Sequence, residues 1–164
     1  MGGKALSGRR ISNEEAFKLA EKIICENDLG CKVDRILLCG SARRGKKTSG
    51  DLDFVFIDSE NDALKAWLVD NYGVKKNGKP QTTILYDGVQ VEFYEATPKT
   101  WGSCTLMWTG PAFSNIQLRK AAKKKGLKLS QHGLFDGKTN IAAGKAEYEI
   151  FELLDKEFKE PHER

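Results

Sequence analysis

The 164-residue sequence lacks the features that mark several specialised classes of protein. With only 4 prolines and no low-complexity tract, it is unlike a disordered or a collagenous chain. Its 4 cysteines include no Cys-x-x-Cys pair and only 2 histidines accompany them, which argues against a zinc site. No stretch approaches the roughly 18 apolar residues of a membrane-spanning helix, and no apolar leader follows Met1. We therefore expect a soluble, intracellular protein in a reducing compartment, with no membrane partner.

The charge of the chain is small overall but unevenly distributed. There are 27 Lys and Arg residues against 23 Asp and Glu residues, which gives a net charge of +4. Residues 119–128 contain six basic side chains and no acidic one. A lysine-rich stretch of this kind is often only the solvated face of a helix, but it also favours contact with phosphate groups. Charge alone leaves both interpretations open.

Hydrophobic spacing predicts two parts of mixed α and β structure, residues 1–97 and residues 98–164. In the first part, Ser12-Asn13-Glu14-Glu15 has a capping-box pattern that starts a helix, and Asp87-Gly88 suits the tight turn of a hairpin. The elements expected there are helices over about 12–27 and 61–71, with strands over about 33–39, 52–57, 82–86 and 89–94. In the second part they are helices over about 101–108, 111–126 and 145–158, with short strands around 128–130, 134–136 and 140–142. The expected fold class is α+β.

The segment from Gly40 to Asp53 has the strongest chemical signal. Gly40-Ser41 follows a predicted strand and opens a turn or short helix, where free backbone N–H groups and a hydroxyl can hold phosphate oxygens. Asp51 and Asp53 stand two residues apart at the start of the next strand, so both carboxylates project from the same face. Carboxylates so placed can bridge two divalent ions about 3.5 to 4 Å apart, the geometry of in-line phosphoryl transfer. Their hard oxygen ligands suit magnesium.

Glu92 is the candidate for a third acid at this site. Alternation along the predicted strand 89–94 places Gln90, Glu92 and Tyr94 on the face opposite to the apolar side chains. Periodicity alone favours the other interpretation, in which Glu92 is an ordinary exposed glutamate of a strand.

Several motifs taken together resemble known enzymes. Gly-Ser followed by Asp-x-Asp resembles the signature of the nucleotidyltransferase superfamily. The more specific strings Arg43-Arg44-Gly45, Ser49-Gly50-Asp51-Leu52-Asp53 and Trp108-Thr109-Gly110-Pro111 resemble the family X DNA polymerases, the polymerase beta group. Arg10-Ile11-Ser12 resembles the family's Arg-Ile-Pro, and Glu160-Pro161-His162-Glu163-Arg164 is similar to its Glu-Pro-x-x-Arg ending. The chain looks like the reduced palm-and-thumb form of the small viral members, without a lyase domain.

The resemblance implies a nucleotidyltransferase palm over residues 1–97, with a mixed or antiparallel sheet and helices on one side. Residues 98–164 then form a small α+β thumb-type subdomain that binds the nascent base pair. By the same resemblance, the residues expected to hold the catalytic metals are Asp51, Asp53 and Glu92. Those expected around the incoming nucleotide are Arg10, Gly40, Ser41, Arg44, Gly50, Trp108, Thr109, Gly110 and Asn115. Those expected to contact DNA are Arg119, Lys120, Lys123, Lys124 and Lys128.

The function that the resemblance implies is template-directed DNA polymerisation, with addition of deoxynucleotides to a primer 3′-hydroxyl and short-gap filling in DNA repair as its setting. The implied cofactor is Mg²⁺, as two ions, with Mn²⁺ able to substitute. The implied partners are gapped or primer-template DNA, deoxynucleoside triphosphates and a DNA ligase, and the protein is expected to be a monomer. Two alternatives stay open: a nucleotidyltransferase acting on RNA or a small molecule, and a catalytically weak protein that binds gapped DNA.

Three positions depart from the family pattern. Glu92 stands where members usually have Asp, and its extra methylene moves the carboxylate by up to about 1.5 Å. Gln90 stands where the repair enzymes commonly have Arg, which removes a cation from beside the acids. Met107 replaces the first residue of an aromatic pair that is usual before Thr-Gly. The first two changes bear on the rate of nucleotidyl transfer. The third bears on how well the protein distinguishes deoxyribose from a sugar with a 2′-hydroxyl.

Overall fold

The computed structural model describes residues 8–26, 29, 33–58, 62–73 and 81–164. Within them, the helices with described bounds are α1 (Asn13–Glu21), α2 (Gly40–Arg43), α3 (Ala63–Tyr72), α4 (Trp101–Thr109), α5 (Ala112–Lys124) and α6 (Glu147–Leu153). The strands are β1 (Ile11–Ser12), β2 (Arg35–Leu38), β3 (Thr48–Ser49), β4 (Asp51–Ile57), β5 (Gln81–Tyr86), β6 (Val89–Glu95), β7 (Lys128–Ser130), β8 (Gly133–Asp136) and β9 (Thr139–Asn140). Of the described helices, none is long and apolar enough to cross a membrane.

A four-stranded mixed sheet in the order β2-β4-β6-β5 forms the centre of the first part. The outer strands β2 and β5 run antiparallel to their neighbours, whereas β4 and β6 run parallel to each other. The hairpin between β5 and β6 turns at Asp87 and Gly88, whose φ angles are 48° and 74°, as their sequence predicts. The expected α+β class with a mixed sheet is confirmed. Because β4 and β6 are parallel neighbours, their first residues meet at the same edge of the sheet.

The two faces of β4 have different partners because side chains alternate along a strand. Leu52, Phe54 and the residues on the same face enter a first hydrophobic core, to which α1 and α3 contribute. The opposite face begins with Asp51 and Asp53 and continues with apolar residues that pack against α4. Helix α4 therefore covers the apolar half of this face, and the two aspartates occupy the other half.

Residues 98–164 build a second hydrophobic core. Strands β7, β8 and β9 form a three-stranded antiparallel sheet in that order. Side chains of α4, α5 and α6 pack with this sheet around Leu134 and Ile150, which are both fully buried. A third cluster, which includes Val55 and Cys104, joins the two parts, and the boundary after residue 97 stays a prediction.

Two helices differ in length from the expectation. The helix expected over 12–27 is α-helical over Asn13–Glu21 and continues as a π-helical turn over Lys22–Glu26, and residue 27 lies outside the described residues. The helix expected over 145–158 ends at Leu153, because Asp155 soon afterwards adopts a left-handed backbone conformation with φ of 51°. The ring of Phe158 still lies 5.3 Å from the ring of Phe151 between centroids. The apolar pattern therefore predicts the contact correctly but not the helix.

The substitution Phe93→Ala should lower the free energy of unfolding by about 3–5 kcal/mol, because it leaves a cavity in the first core. Phe93 has 0% exposure and stacks on Phe54 with ring centroids 5.4 Å apart. Chemical denaturation measures the change. Phe113→Ala is the matched control, since Phe113 is 71% exposed on α5 and its loss should cost about 0.5 kcal/mol or less. Equal losses in the two variants would contradict the placement of Phe93 in the core.

Candidate active site

The predicted phosphate loop lies directly against the second aspartate. Gly40 opens α2 after β2 with φ of 61°, a left-handed conformation that favours glycine. A Cβ atom on Gly40 would lie 2.0 Å from Oδ2 of Asp53, so only glycine allows this approach. The Ser41 hydroxyl donates a hydrogen bond to the Ser49 hydroxyl at 2.9 Å, which ties the loop to β3.

The parallel pairing of β4 with β6 brings the three predicted acids to one face of the sheet. Asp53 is the register partner of Glu92, and Asp51 is the register partner of Gln90. Side chains in register on neighbouring strands project from the same face. Asp51, Asp53 and Glu92 are accordingly on one face, each partly buried.

These acids carry more negative charge than their neighbours neutralise. Burial, followed by the nearby charges of Asp51 and Glu92, raises the pKa of Asp53 to about 7. Burial and the charge of Glu92 also raise the pKa of Asp51, while the guanidinium groups of Arg10 and Arg44 act in the opposite direction. Crowded, partly buried carboxylates of this kind are stabilised by a bound cation.

The carboxylate of Glu92 is held by hydrogen bonds from its own face of the sheet. Gln90 Nε2 donates to Glu92 Oε1 at 2.8 Å, and the Tyr94 hydroxyl donates to Glu92 Oε2. Gln81 Nε2, on β5, donates to the same Oε2 at 3.4 Å. The Tyr94 hydroxyl is also within hydrogen-bonding reach of the Asp53 carboxylate. It therefore lies between the third acid and the aspartate pair, and burial and these acids raise the pKa of Tyr94 above its usual value.

The chemistry of the donor set fits a hard divalent cation, since carboxylate oxygens are the ligands that Mg²⁺ prefers. Among the described residues, however, no three His, Cys, Asp or Glu side chains are grouped closely enough to hold a metal in their present positions. Glu92 would have to lie closer to Asp51 and Asp53 to join them as a ligand, and its carboxylate at present accepts hydrogen bonds from Gln90 and Tyr94. The metal ligands therefore stay a prediction.

Two arginines predicted to contact the triphosphate lie beside the acids. Arg10 Nη2 donates to Thr48 Oγ1 at 2.9 Å, and Arg10 Nη1 is 3.2 Å from the position that a Gly50 Cβ would take. Arg44 Nη1 donates to the carbonyl of Thr109, at the end of α4. Gly110 follows with φ of 64°, and a Cβ there would lie 3.3 Å from the same Arg44 atom.

Trp108, Asn115 and Arg119 approach the site from the second part of the chain. The Trp108 ring stacks on Tyr94 with centroids 3.6 Å apart, which places it next to the acids. Asn115 Nδ2 donates to the Met107 carbonyl at 2.8 Å, and Arg119 Nη2 lies 3.8 Å from Met107 Sδ. The structure thus joins Trp108 to the acids through Tyr94, and it joins Asn115 and Arg119 to the end of α4 but not to the acids directly.

The lysines predicted to contact DNA are all exposed. Lys120, Lys123 and Lys124 belong to α5, and Lys128 begins β7. Exposed cations on one helix suit contact with phosphates, which fixes position without reading sequence.

Three residues next to the site have no role in the sequence-based prediction: Arg43, Glu147 and Arg164. Arg43 Nη1 donates to Thr109 Oγ1 at 2.6 Å and to Glu147 Oε1 at 2.5 Å. Arg164 Nη2 pairs with Glu147 Oε2 at 2.7 Å. The Arg-Arg-Gly string and the Glu-Pro-x-x-Arg ending are the only sequence signals for the two arginines, and no motif marks Glu147.

Two family models match most of the chain and define its class. The model described as DNA polymerase beta palm matches residues 10–113, and the model described as DNA polymerase beta thumb matches residues 104–164. These matches place the chain among the DNA polymerases. The chain belongs to the DNA polymerase beta family, the family X group, which confirms the resemblance that its motifs suggest.

Curated relatives include viral and cellular proteins. "Repair DNA polymerase X" of African swine fever virus, isolate Tick/South Africa/Pretoriuskop Pr4/1996, is 28% identical over 153 residues, which cover 83% of this chain and 83% of the viral protein. "DNA polymerase lambda" of Rattus norvegicus is 27% identical over 191 aligned positions, which take in 94% of this chain but 33% of that protein. The same enzyme name is carried by an Arabidopsis thaliana protein that is 26% identical over 167 positions. The expectation of a family X DNA polymerase is confirmed.

Gly40→Ala should lower the rate of nucleotide addition by about a hundredfold, because the new Cβ forces the Asp53 carboxylate to move by about 1 Å or more. Steady-state primer extension measures this loss. Gly45→Ala is the matched control: Gly45 has φ of 69° against 61° for Gly40, so the backbone strain is similar, but no atom lies within 4 Å of its Cβ position. Equal activity of the two variants would show that Gly40 does not act through Asp53.

Asp53→Asn should stabilise the metal-free protein while it removes activity. Folding raises the pKa of Asp53 from 3.8 to about 7, so the stability that protonated Asp53 contributes is fully present below pH 3.8 and is lost as pH rises through 7. The variant should therefore unfold with a free energy higher by on the order of 1–3 kcal/mol at pH 8 and by less at pH 5. Chemical denaturation with a chelator present measures both.

The control for this comparison is Asp136→Asn, which removes a carboxylate from an exposed position in β8. Its effect should be small, because substitutions at exposed positions usually change stability little. A gain for Asp53→Asn that does not grow between the two pH values would contradict the raised pKa of Asp53.

Proposed function

We propose that this DNA polymerase fills short gaps in DNA during repair. It adds deoxynucleotides to the primer 3′-hydroxyl, directed by the template, with release of pyrophosphate. The observation that supports this best is the parallel register that sets Glu92 beside Asp53, next to the Gly40 loop. Carboxylates on one face beside a phosphate-binding loop suit transfer of a nucleotidyl group to a hydroxyl. The repair setting is supported by the viral relatives, which are named repair DNA polymerase X.

Two Mg²⁺ ions are the proposed cofactor, with Mn²⁺ as a substitute. Asp51 and Asp53 would hold both ions, and Glu92 would join them around one. When bound, the ions lower the pKa of the primer hydroxyl and neutralise charge on the phosphates. The crowded carboxylates support this proposal, because the raised pKa of Asp53 marks a site where negative charge is not compensated by the protein.

The other side chains bind and orient the nucleotide. Ser41, the backbone N–H groups of α2 and the guanidinium groups of Arg10 and Arg44 would hold the triphosphate, and Glu92 would accept the proton of the attacking hydroxyl. Such positioning and electrostatic stabilisation supply most of the rate enhancement in phosphoryl transfer. Trp108 and the Thr109-Gly110 turn would pack against the deoxyribose and exclude a 2′-hydroxyl.

The thumb-type part, residues 98–164, would hold the DNA. Asn115 and Arg119 would contact the nascent base pair, since both lie on the side of α5 that meets the end of α4. The exposed lysines of α5, with Lys128, would contact phosphates of the duplex, so binding should weaken as salt rises. The protein would act as a monomer on gapped or primer-template DNA and leave a nick for a DNA ligase.

Primer extension on a one-nucleotide gap tests the proposed function. The wild-type protein should insert the complementary deoxynucleotide only when template and Mg²⁺ are present, and Asp53→Ala should abolish insertion. Addition without regard to the template would instead favour a nucleotidyltransferase with another acceptor. Tight binding of the gapped DNA without insertion would favour a binding protein that has lost turnover.

Glu92→Gln should reduce insertion to near background, because the amide keeps the shape of the side chain but removes the charge that a cation needs. Glu95→Gln is the matched control, since Glu95 lies on the same strand, is exposed and pairs with Lys65 at 2.7 Å. Its activity should equal that of the wild type. Full activity of Glu92→Gln would exclude Glu92 as a metal ligand and as a proton acceptor.

A further inference from the structure

Asn13, the first residue of α1, is bonded to the Gly40 loop, residues 40–47. Its Nδ2 atom donates to the carbonyl of Ala42 at 3.1 Å and to the carbonyl of Lys46 at 3.0 Å. Its backbone N–H donates to the carbonyl of Lys47 at 3.1 Å. One residue of α1 therefore binds three carbonyl groups of the loop.

The Gly40 loop needs such bonds because its own secondary structure is weak. Helix α2 (Gly40–Arg43) is a single turn, and one turn alone is unstable because closing it fixes several residues for one hydrogen bond. Residues 45–48, which follow, are exposed. Water therefore competes for the hydrogen bond that closes the turn, from Gly45 N–H to the Ala42 carbonyl at 3.0 Å. Contacts with α1 have to supply the remaining order.

Asn13 is well placed to supply this order, because the residues before it are fixed. Ile11 is buried in the first core, and β1 pairs with β3 through Ile11 and Ser49. Ser12 is the N-cap of α1, and its hydroxyl accepts the Glu15 N–H at 3.1 Å. Side chains on packed elements of this kind are held more precisely than those on loops.

We propose that Asn13 is a positioning residue for nucleotide binding, because it orders the loop that presents Arg44 to the triphosphate. Arg44 lies between the two residues whose carbonyls the Asn13 amide binds. Without these hydrogen bonds, only a fraction of the molecules keeps the loop in the shape that fits a triphosphate. The apparent affinity for the nucleotide then falls by that fraction. The proposal rests on the proposed function, which assigns the triphosphate to Arg44.

Asn13→Ala tests this proposal in the full chain. Each of the two lost hydrogen bonds is worth about fivefold in an equilibrium constant, so the KM for the deoxynucleotide should rise by about 5- to 25-fold. The kcat should stay within about threefold, because the bound triphosphate orders the loop again. The affinity for gapped DNA should stay within about twofold, because the lysines of α5 are untouched. Single-nucleotide gap filling measures KM and kcat, and fluorescence anisotropy of labelled gapped DNA measures the affinity.

The matched control is Asn71→Ala. Asn71 Nδ2 donates to the Trp67 carbonyl at 2.9 Å within α3, so this variant loses a similar hydrogen bond that does not involve the loop. Its KM should equal that of the wild type. A KM for Asn13→Ala no higher than that for Asn71→Ala would overturn the proposal. A loss of kcat or of DNA affinity as large as the rise in KM would also overturn it, since that is the pattern of general disruption.

Asn13→Asp separates the positioning role from the stability of α1. An acid in the first turn of a helix interacts favourably with the helix dipole, so chemical denaturation should find this variant at least as stable as Asn13→Ala. A carboxylate has no N–H to donate and would lie against two carbonyl oxygens. Its KM should therefore rise at least as far as that of Asn13→Ala. A KM close to the wild-type value would show that Asn13 acts only through the helix.

Amide hydrogen exchange tests the order of the loop in the absence of nucleotide and metal. In the loop, Gly45 N–H donates to the Ala42 carbonyl and Lys46 N–H donates to the Ser41 carbonyl at 3.1 Å. Both amides should exchange about fivefold faster or more in Asn13→Ala, while those of β4 keep their wild-type rates. Unchanged exchange in the loop would contradict the proposal. Failure of the wild-type protein to fill any gap would instead reject the proposed function, and the exchange rates distinguish the two failures.

Discussion

The crowding of three carboxylates on one face of a sheet is the constraint on which the rest of the site depends. Asp51 and Asp53 are on one face of β4 by simple alternation, and parallel pairing with β6 sets Glu92 beside Asp53. Burial and mutual repulsion make this arrangement unfavourable, as the raised pKa of Asp53 shows. Perturbed groups of this kind are concentrated at functional sites. Two features allow the fold to accommodate the acids. Gly40 has no side chain to collide with Asp53, and the guanidinium groups of Arg10 and Arg44 offset part of the negative charge.

The two parts of the chain meet at this site, and side chains from both parts contact each other there. Tyr94 of the sheet stacks on Trp108 of α4, and the phosphate loop is bound to Thr109 at the end of the same helix. The apolar half of the acidic face of β4 is also covered by α4. A shift of the second core would therefore move the Thr109-Gly110 turn and the Gly40 loop together.

Local patterns account for what the sequence predicts well. The alternation of apolar and polar residues predicts the strands and the shared face of Gln90, Glu92 and Tyr94. The Asp87-Gly88 dipeptide predicts the hairpin. These features are predictable because they depend on residues that are close together in sequence. The π-helical turn after α1 and the early end of α6 depend on local backbone conformations, which hydrophobic spacing does not predict. The contact of Arg43 with Glu147 joins residues 104 positions apart. No local pattern marks such a pair, and only the packing of the two parts brings it together.

Two departures from the family pattern, Glu92 for Asp and Gln90 for Arg, form a single arrangement in the structure. The longer side chain lets the Glu92 carboxylate reach the Gln90 amide on one side and the Tyr94 hydroxyl on the other. An amide is neutral and donates a single hydrogen bond here, so it lacks the charge and the two-pronged geometry with which an arginine would hold the same carboxylate. The two positions are thus coupled, because the Gln90 amide at one of them holds the Glu92 carboxylate at the other.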